Sequence, residues 1–447
     1  MHCQRRARLV VFPLLLLLSA TVAVAKDGDL DLTFGGTGQV LTAFDPTGPI
    51  NSDLAFSVVV QPDRKIVVAG FASDVIDPSD FALSRYNPDG SLDSSFGSGG
   101  LARGGFGFFS FEQAFSLLRQ PDGKLVVGGW TGSGVPGGND VGLLRFLPNG
   151  SLDPSFGSGG KVITNLGGDD WALALARQSD GKLLVGGRTG PLGNHNFVVV
   201  RYLANGAVDT TFGTAGKVVT DFNGREDSVL KLAVVPGGKI LAVGTSQMAG
   251  TGLSKVALAR YTAQGRLDPT FGTGGKVFLT LGRSVGVSDV ALLPAGKFLV
   301  VGGLDLPGST AGLDFLMFRF LANGRLDTTF GTAGRITTSF GPRWDLAADV
   351  AVLPNGKILV AGEVEASNGG SADGAFGVAR YNANGQLDPT FGVAGKVTTR
   401  FGTTSGARGL AMAIQPDGKP VVVGHVFDID SPELGVRFGV ARYLNTP

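Results

Sequence analysis

The sequence predicts an all-β fold, a seven-bladed β-propeller of four-stranded blades, and three observations carry that prediction. First, a Phe-Gly pair recurs at Phe34, Phe96, Phe156, Phe212, Phe271, Phe330 and Phe391, at spacings of 62, 60, 56, 59, 59 and 61 residues; periods of this size mark a repeat architecture. Second, each repeat holds four short apolar runs divided by turn residues, none with the length or period of a helix. Third, the two ends complement one another. The chain opens on a fourth-type strand, residues 38–44, and stops on a third-type strand, Phe438-Gly439-Val440-Ala441-Arg442-Tyr443. Residues 38–44 are therefore expected to complete the blade made by residues 408–443 as its outermost strand, pairing edges that an open solenoid would expose.

In chain order, Arg5, Arg6 and Arg8 precede an apolar run over 9–18, and Ala23-Val24-Ala25 offers a small-x-small cleavage site. This is the pattern of a secretory signal peptide over 1–25, and the run falls short of the ~20 apolar residues of a spanning helix. Export without membrane insertion follows as an expectation, to the periplasm, the cell surface or the medium. The lone cysteine, Cys3, falls in that leader, so the mature chain is expected to have neither disulfides nor thiolate metal ligands. Residues 26–447 read as one propeller domain, expected to be a monomer. Its 72 glycines punctuate regular apolar runs, which marks them as turn residues and not a linker. Without the three leader arginines, 35 basic residues face 37 acidic ones, leaving no positive field for nucleic acid.

Within one copy, residues 114–118 form the first strand and Gln120-Pro121-Asp122-Gly123 a tight hairpin turn. Residues 124–129 form the second strand and 141–146 the third. An Asn-Gly turn and the Leu-Asp-x-x-Phe-Gly stretch then lead to the fourth, 160–164. The Gln-Pro-Asp-Gly-Lys at 120–124 and 415–419 and the Leu-Asp-Pro-Thr-Phe-Gly at 267–272 and 387–392 resemble the delta-60 repeat of secreted bacterial proteins, over nearly all of 27–443. More distantly the strand order is similar to that of NHL-repeat propellers. The resemblance implies a propeller and very little about activity.

Two recurring charges read as architecture. An aspartate (Asp31, Asp93, Asp153, Asp209, Asp268, Asp327, Asp388) sits in every Leu/Val-Asp stretch, and an arginine (Arg85, Arg145, Arg201, Arg260, Arg319, Arg380, Arg442) in every third strand. A guanidinium buried between blades requires a carboxylate, so each Arg is expected to be held by a repeat Asp. The hairpin lysines, Lys65 to Lys419, are expected to be solvated turn residues.

From each third-strand Arg to the following Phe is 11 residues in all six complete copies, whereas the second-to-third loop grows from ten to fourteen residues. The variable loops emerge together on one face, here the top face, around the channel mouth, and a ligand is expected there. Candidates are Trp130, Trp171 and Trp344, which could stack on a sugar or a protein partner, and Asp428, Asp430 and Glu433 of the last loop. Those acids, with Asp74, Asp77, Asp80, Glu363, Glu365 and Asp373, would suit Ca²⁺ as hard oxygen ligands, although none follows a calcium-loop pattern. No cofactor is predicted otherwise. The mature chain has only His195 and His425, and no strand-turn-helix elbow or phosphate-binding loop. The favoured function is thus an exported non-catalytic binding module or scaffold. The alternative is a propeller enzyme, a metal-dependent lactonase-like hydrolase or a quinone-dependent sugar dehydrogenase, which convergence of carboxylates or a histidine on the channel axis would favour.

Overall fold

A computed structural model describes residues 25–45, 52–73, 79–107, 110–132, 138–223, 226–248, 251–305, 313–365, 374–402, 405–428 and 435–445. The leader expected over 1–25 lies outside these but for Ala25. Among the described residues no helix is long and apolar enough to cross a membrane.

The chain is all-β. Five separate four-stranded antiparallel sheets span 111–164, 171–220, 227–279, 285–338 and 345–399, and their strands lie in chain order. The remaining strands form an eight-stranded sheet of two such sets, 52–104 and 405–442, joined through one parallel bridge between Ser52 and Val436. Gln39–Thr42 pairs antiparallel with Val436–Arg442, setting Gln39 opposite Ala441 and Thr42 opposite Phe438. Each set is a propeller blade. The first strand of every blade packs beside the first strand of the next, and that of the last blade, Ser405–Ile414, returns to Ser52–Val60 of the first. These first strands therefore surround the axis.

Second and third strands are buried along nearly their whole length, as in Ile66–Ser73 and Gly374–Tyr381. Both of their faces meet neighbouring blades, which is why they read as unbroken apolar runs. The core lies between blades: Val67 and Leu83 of one pack with Leu125 and Leu144 of the next, and Ile66, Val68 and Ala82 with Val421 and Val440 across the closure. The repeated Phe-Gly joins blades too. Phe96 and Phe156 are fully buried, and the following glycines donate to the turn of the next blade, Gly97 N–H to Asn149 O and Gly157 N–H to Asn205 O, both at 2.8 Å. Tyr86, Tyr202, Tyr261, Tyr381 and Tyr443 each bond the hydroxyl of a threonine on the preceding blade's outer strand at 2.7–2.8 Å.

Every first strand carries a β-bulge, for example between Ala55 and Ser57 and between Val287 and Asp289. The second-strand residue opposite is glycine (Gly70, Gly129, Gly187, Gly244, Gly302, Gly362, Gly424), because an added Cβ would land on the first-strand carbonyl oxygen. The bulge turns the next side chain toward the neighbouring blade. Ser57 and Ser116 accept the Leu117 and Leu175 N–H at 3.1 Å, and Asp289 and Asp349 accept those of Val350 and Met412 at 2.9 and 3.0 Å.

Candidate functional site

The repeated charges lie on the bottom face, at the first-to-second hairpins. Arg85, Arg145, Arg201, Arg260, Arg319, Arg380 and Arg442 donate through Nε to Oδ2 of Asp93, Asp153, Asp209, Asp268, Asp327, Asp388 and Asp31, respectively, at 2.7–2.9 Å. Each guanidinium also lies over its repeat phenylalanine, 4.4–4.8 Å from the ring centre, and most reach a carbonyl of the next blade, as Arg145 does at Ala204. The lysines do not stand free in solvent. Lys65, Lys124, Lys182, Lys239, Lys297, Lys357 and Lys419 each approach the same Oδ2, at 2.7–3.2 Å. The hairpin curls beside the Leu/Val-Asp turn, so one aspartate serves two cations. Burial alone would raise the Asp31 carboxyl, but Lys419, Thr33 and Arg442 outweigh it and hold it down at about 2.

On the top face, two of the three tryptophans come together. Trp130, at the end of a second strand, and Trp171, which opens a first strand, have ring centres 5.5 Å apart. Phe115 stacks on Trp171 at 6.0 Å and meets Phe56 edge-on at 5.1 Å. Arg188, cross-strand partner of Trp171, places its guanidinium carbon 3.9 Å from the Trp171 ring centre. Beside it, buried His195 sits between two carboxylates, with Nδ1 2.6 Å from Glu226 and Nε2 3.2 Å from Asp169. Asn139 Nδ2 donates to Asp169 at 2.7 Å, and Arg188 lies 3.4 Å from Asp169 and 4.0 Å from Glu226. Three buried donors of this sector, Trp130 Nε1, Trp171 Nε1 and Arg188 Nε, have no hydrogen-bond partner among the described residues. A buried donor left unpaired costs roughly 1–3 kcal/mol.

Trp344 is apart from this sector; it lies beside another first strand, 47% exposed. Asp430 and Glu433, like Asp74, Asp77 and Asp373, are outside the described residues, as is the side chain of Asp428. Among the described residues no group of three or more His, Cys, Asp or Glu is placed to hold a metal ion. Across the mouth, Arg408 pairs with Glu363 at 3.1 Å, and burial together with Arg408 pushes the His425 imidazole down to about 4.

Deeper on the axis, the residue after the bulge is Lys231, Asp289 and Asp349 in three consecutive blades, where others carry Ser57, Ser116, Ala174 or Ala411. Lys231 Nζ lies 3.5 Å from Asp289 Oδ1. Burial, and then the Asp289 charge, push the Asp349 carboxyl well above the ordinary range, whereas the two carboxylates hold the Lys231 ammonium up against its burial. The sequence pointed to Trp130 and Trp171 but not to Phe115, Arg188, Asp169, Glu226 or this axial trio. The available signal was departure from the repeat at positions flanking the bulge.

Five stretches, 61–96, 120–156, 178–212, 236–271 and 353–391, match the family model described as a β-propeller domain of unknown function, DUF5122. No curated protein matches the chain in sequence. Among solved structures, a PL25 ulvan lyase, described as a polysaccharide lyase, superposes with a TM-score of 0.52 at 11% identity, covering 91% of this chain and 96% of its own. A protein of unknown function from Dyadobacter fermentans gives 0.45 at 11% identity over 91% and 97%. An α-L-arabinofuranosidase from Fusarium graminearum gives 0.45 at 12% over 73% and 91%. At such identities the lyase speaks for the propeller fold alone.

Proposed function

We propose that this protein is an exported, non-catalytic, seven-bladed β-propeller of delta-60 type that binds a glycan at its channel mouth, on the sector built by Trp130, Trp171, Phe115 and Arg188. The observation that carries this reading is the cluster of Trp130, Trp171 and Phe115 with the Arg188 guanidinium at the channel mouth. A sugar offers an apolar C–H face to pack on the aromatic cluster and hydroxyl oxygens to accept from the outer N–H groups of Arg188, whose side chain is 22% exposed. The circuit of first strands and the pairing of Gln39–Thr42 with the final strand support a ring of seven blades. The same reading makes the mature chain a monomer without cofactor.

The test is titration of residues 26–447 with a panel of soluble polysaccharide fragments, followed by tryptophan fluorescence and calorimetry. Saturable binding is expected, weakened roughly 10- to 100-fold by Trp171→Ala, in line with the loss of a central aromatic contact. Unchanged affinity in that variant refutes the site, and no saturable binding of any fragment in the panel refutes the ligand class.

A second reading, a glycan-processing enzyme, is favoured by one observation, the convergence of Lys231, Asp289 and Asp349 on the axis. Shortening of a bound polysaccharide by the unaltered protein and not by Asp349→Asn would select it. Calcium at the acidic top-face loops is tested by melting in chelator and then in Ca²⁺, since a ligand of the folded state raises the midpoint.

A further inference from the structure

The arginine–lysine–aspartate framework of the bottom face is covered in some repeats and open in others. Gln61, Gln120, Gln178 and Gln415 begin the first hairpin of four repeats and are buried, and Gln415 Oε1 lies 3.5 Å from Arg442 Nη1. In those repeats the arginine side chains are 5–8% exposed. In blades 227–279 and 285–338 the same position is Val235 and Leu293, and Arg260 and Arg319 open to 12% and 15%. A branched chain offers the guanidinium no amide oxygen; in the blade 345–399, where Leu353 takes this position, Asp27 and Asn445 bond Arg380 Nη1 instead and leave its side chain 1% exposed, whereas Arg260 and Arg319 have no such cover among the described residues. Beside Arg260 this leaves a cavity of about 440 Å³, shared between the two blades and lined by Val235, Leu241, Phe271 and Phe298 with Arg260 and Lys239.

The charge in this cavity is unbalanced. Arg260 spends its bonds on Asp268 Oδ2, Thr270 Oγ1 and the Ala322 carbonyl, and Lys239 bonds Asp268. Five donors on a guanidinium and three on an ammonium leave N–H groups to spare, and two cations face one carboxylate. Elsewhere the hairpin supplies a second carboxylate, as Asp180 does 3.4 Å from Lys182 and Asp122 does 3.8 Å from Lys124. Gly237 and Ala295 stand in its place here.

We propose that this cavity is a second binding site, for an amphipathic organic monoanion whose acidic head sits on Arg260 and Lys239 and whose apolar body packs on Val235, Pro236, Ala295 and Ala322. It lies on the face opposite the channel mouth and is independent of the glycan reading. Neutral apolar ligands would leave the spare donors unmatched, and small inorganic anions would leave the apolar walls uncovered.

The experiment is a fluorescence titration of residues 26–447 with 1-anilinonaphthalene-8-sulfonate, then displacement by decanoate or decanol. One saturable site is expected, emptied by decanoate and not by decanol. Val235→Gln installs the cover present in four other repeats without altering Arg260, Lys239 or Asp268, and should weaken both anions roughly tenfold or more, the equivalent of one good contact, with an unchanged melting temperature. Equal binding by the variant, displacement by decanol as readily as by decanoate, or no saturable site in the unaltered protein overturns the proposal. If Val235→Gln does not fold, crystals of the unaltered protein soaked in 10-bromodecanoate decide the matter: an anomalous bromine peak within this cavity supports the site, and its absence there overturns it.

Discussion

Asp153→Ala removes the carboxylate that holds two cations in the blade 111–164. Arg145, 5% exposed at its side chain, and Lys124, 26% exposed, would then face each other across the space Asp153 Oδ2 occupied. Breaking a buried pair by deleting one partner costs about 3–5 kcal/mol. Asp153 Oδ1 also accepts from the Ser155 N–H and hydroxyl at 3.0 and 2.7 Å, adding about 1 kcal/mol net per bond. Lys124 recovers water by swinging outward, so its share is small. The expected loss is thus about 5–7 kcal/mol, read from urea unfolding followed by tryptophan fluorescence at pH 7. Arg145→Leu combined with Asp153→Leu should lose less than Asp153→Ala alone, since no charge is stranded. Burial acts to raise the Asp153 carboxyl, yet Ser155, Lys124 and Arg145 together hold it well below the ordinary carboxylate range. Its contribution is therefore full above the unfolded value near pH 4 and is lost as pH falls through the folded one, so the gap between variant and parent should close only in strong acid. A loss under about 1 kcal/mol at pH 7, or a gap already closing at pH 5, would refute the buried, doubly paired aspartate.

Burial raises Glu112 to about 7, although its carboxylate accepts from Ser110 and the Phe106 N–H. The folded state thus binds the proton that the unfolded chain releases near pH 4.5, and stability falls as pH rises between those values. Glu112→Gln should gain up to about 3 kcal/mol at pH 8 and nothing at pH 4, measured by paired denaturant curves. For His425 the sign reverses: held down at about 4, it stays neutral while the unfolded chain takes up a proton near pH 6.5. Stability should fall by up to about 3 kcal/mol as pH drops through that window, and His425→Leu should flatten that limb of the pH profile. Tyr202→Phe deletes the 2.8 Å bond to Thr164; because Phe146 and Phe320 occupy the same repeat position, the thermal melt should register a loss near 1 kcal/mol and no more.

What could be read in the sequence was whatever recurs. Arg145 and Asp153 are eight residues apart in a spacing repeated down the chain, so a pair could be inferred without coordinates. Lys124 also recurs, but its hairpin and the Asp153 turn are separate in sequence, and only the folded blade brings them to 3.0 Å. The channel-mouth sector draws on three blades: Asp169, Trp171, Arg188 and His195 belong to one, Phe115 and Trp130 to the preceding one, Glu226 to the next. Of these only Phe115 recurs unchanged in another copy, as Phe56, so no internal comparison pairs them. Trp130 and Trp171 stood out because indoles are rare here, whereas Arg188 and Glu226 look like ordinary surface charges until strand pairing sets Arg188 opposite Trp171 and blade packing brings Glu226 to His195.

The pairing of Gln39–Thr42 with Val436–Arg442 also sets an order of events. Strands within a blade find partners a few tens of residues away, but Gln39 waits for Ala441, roughly 400 residues later. By the logarithmic law of loop closure, joining ends that far apart costs about 2.7 kcal/mol more than closing a loop of roughly 20 residues. A strand made roughly 400 residues ahead of its partner is therefore among the last to find its place, and refolding should end in one slow step once the other blades exist. After that step neither of the two paired strands can fray alone. Peeling either one reopens the blade that both complete, which makes the latch of four residues the gate through which unfolding starts.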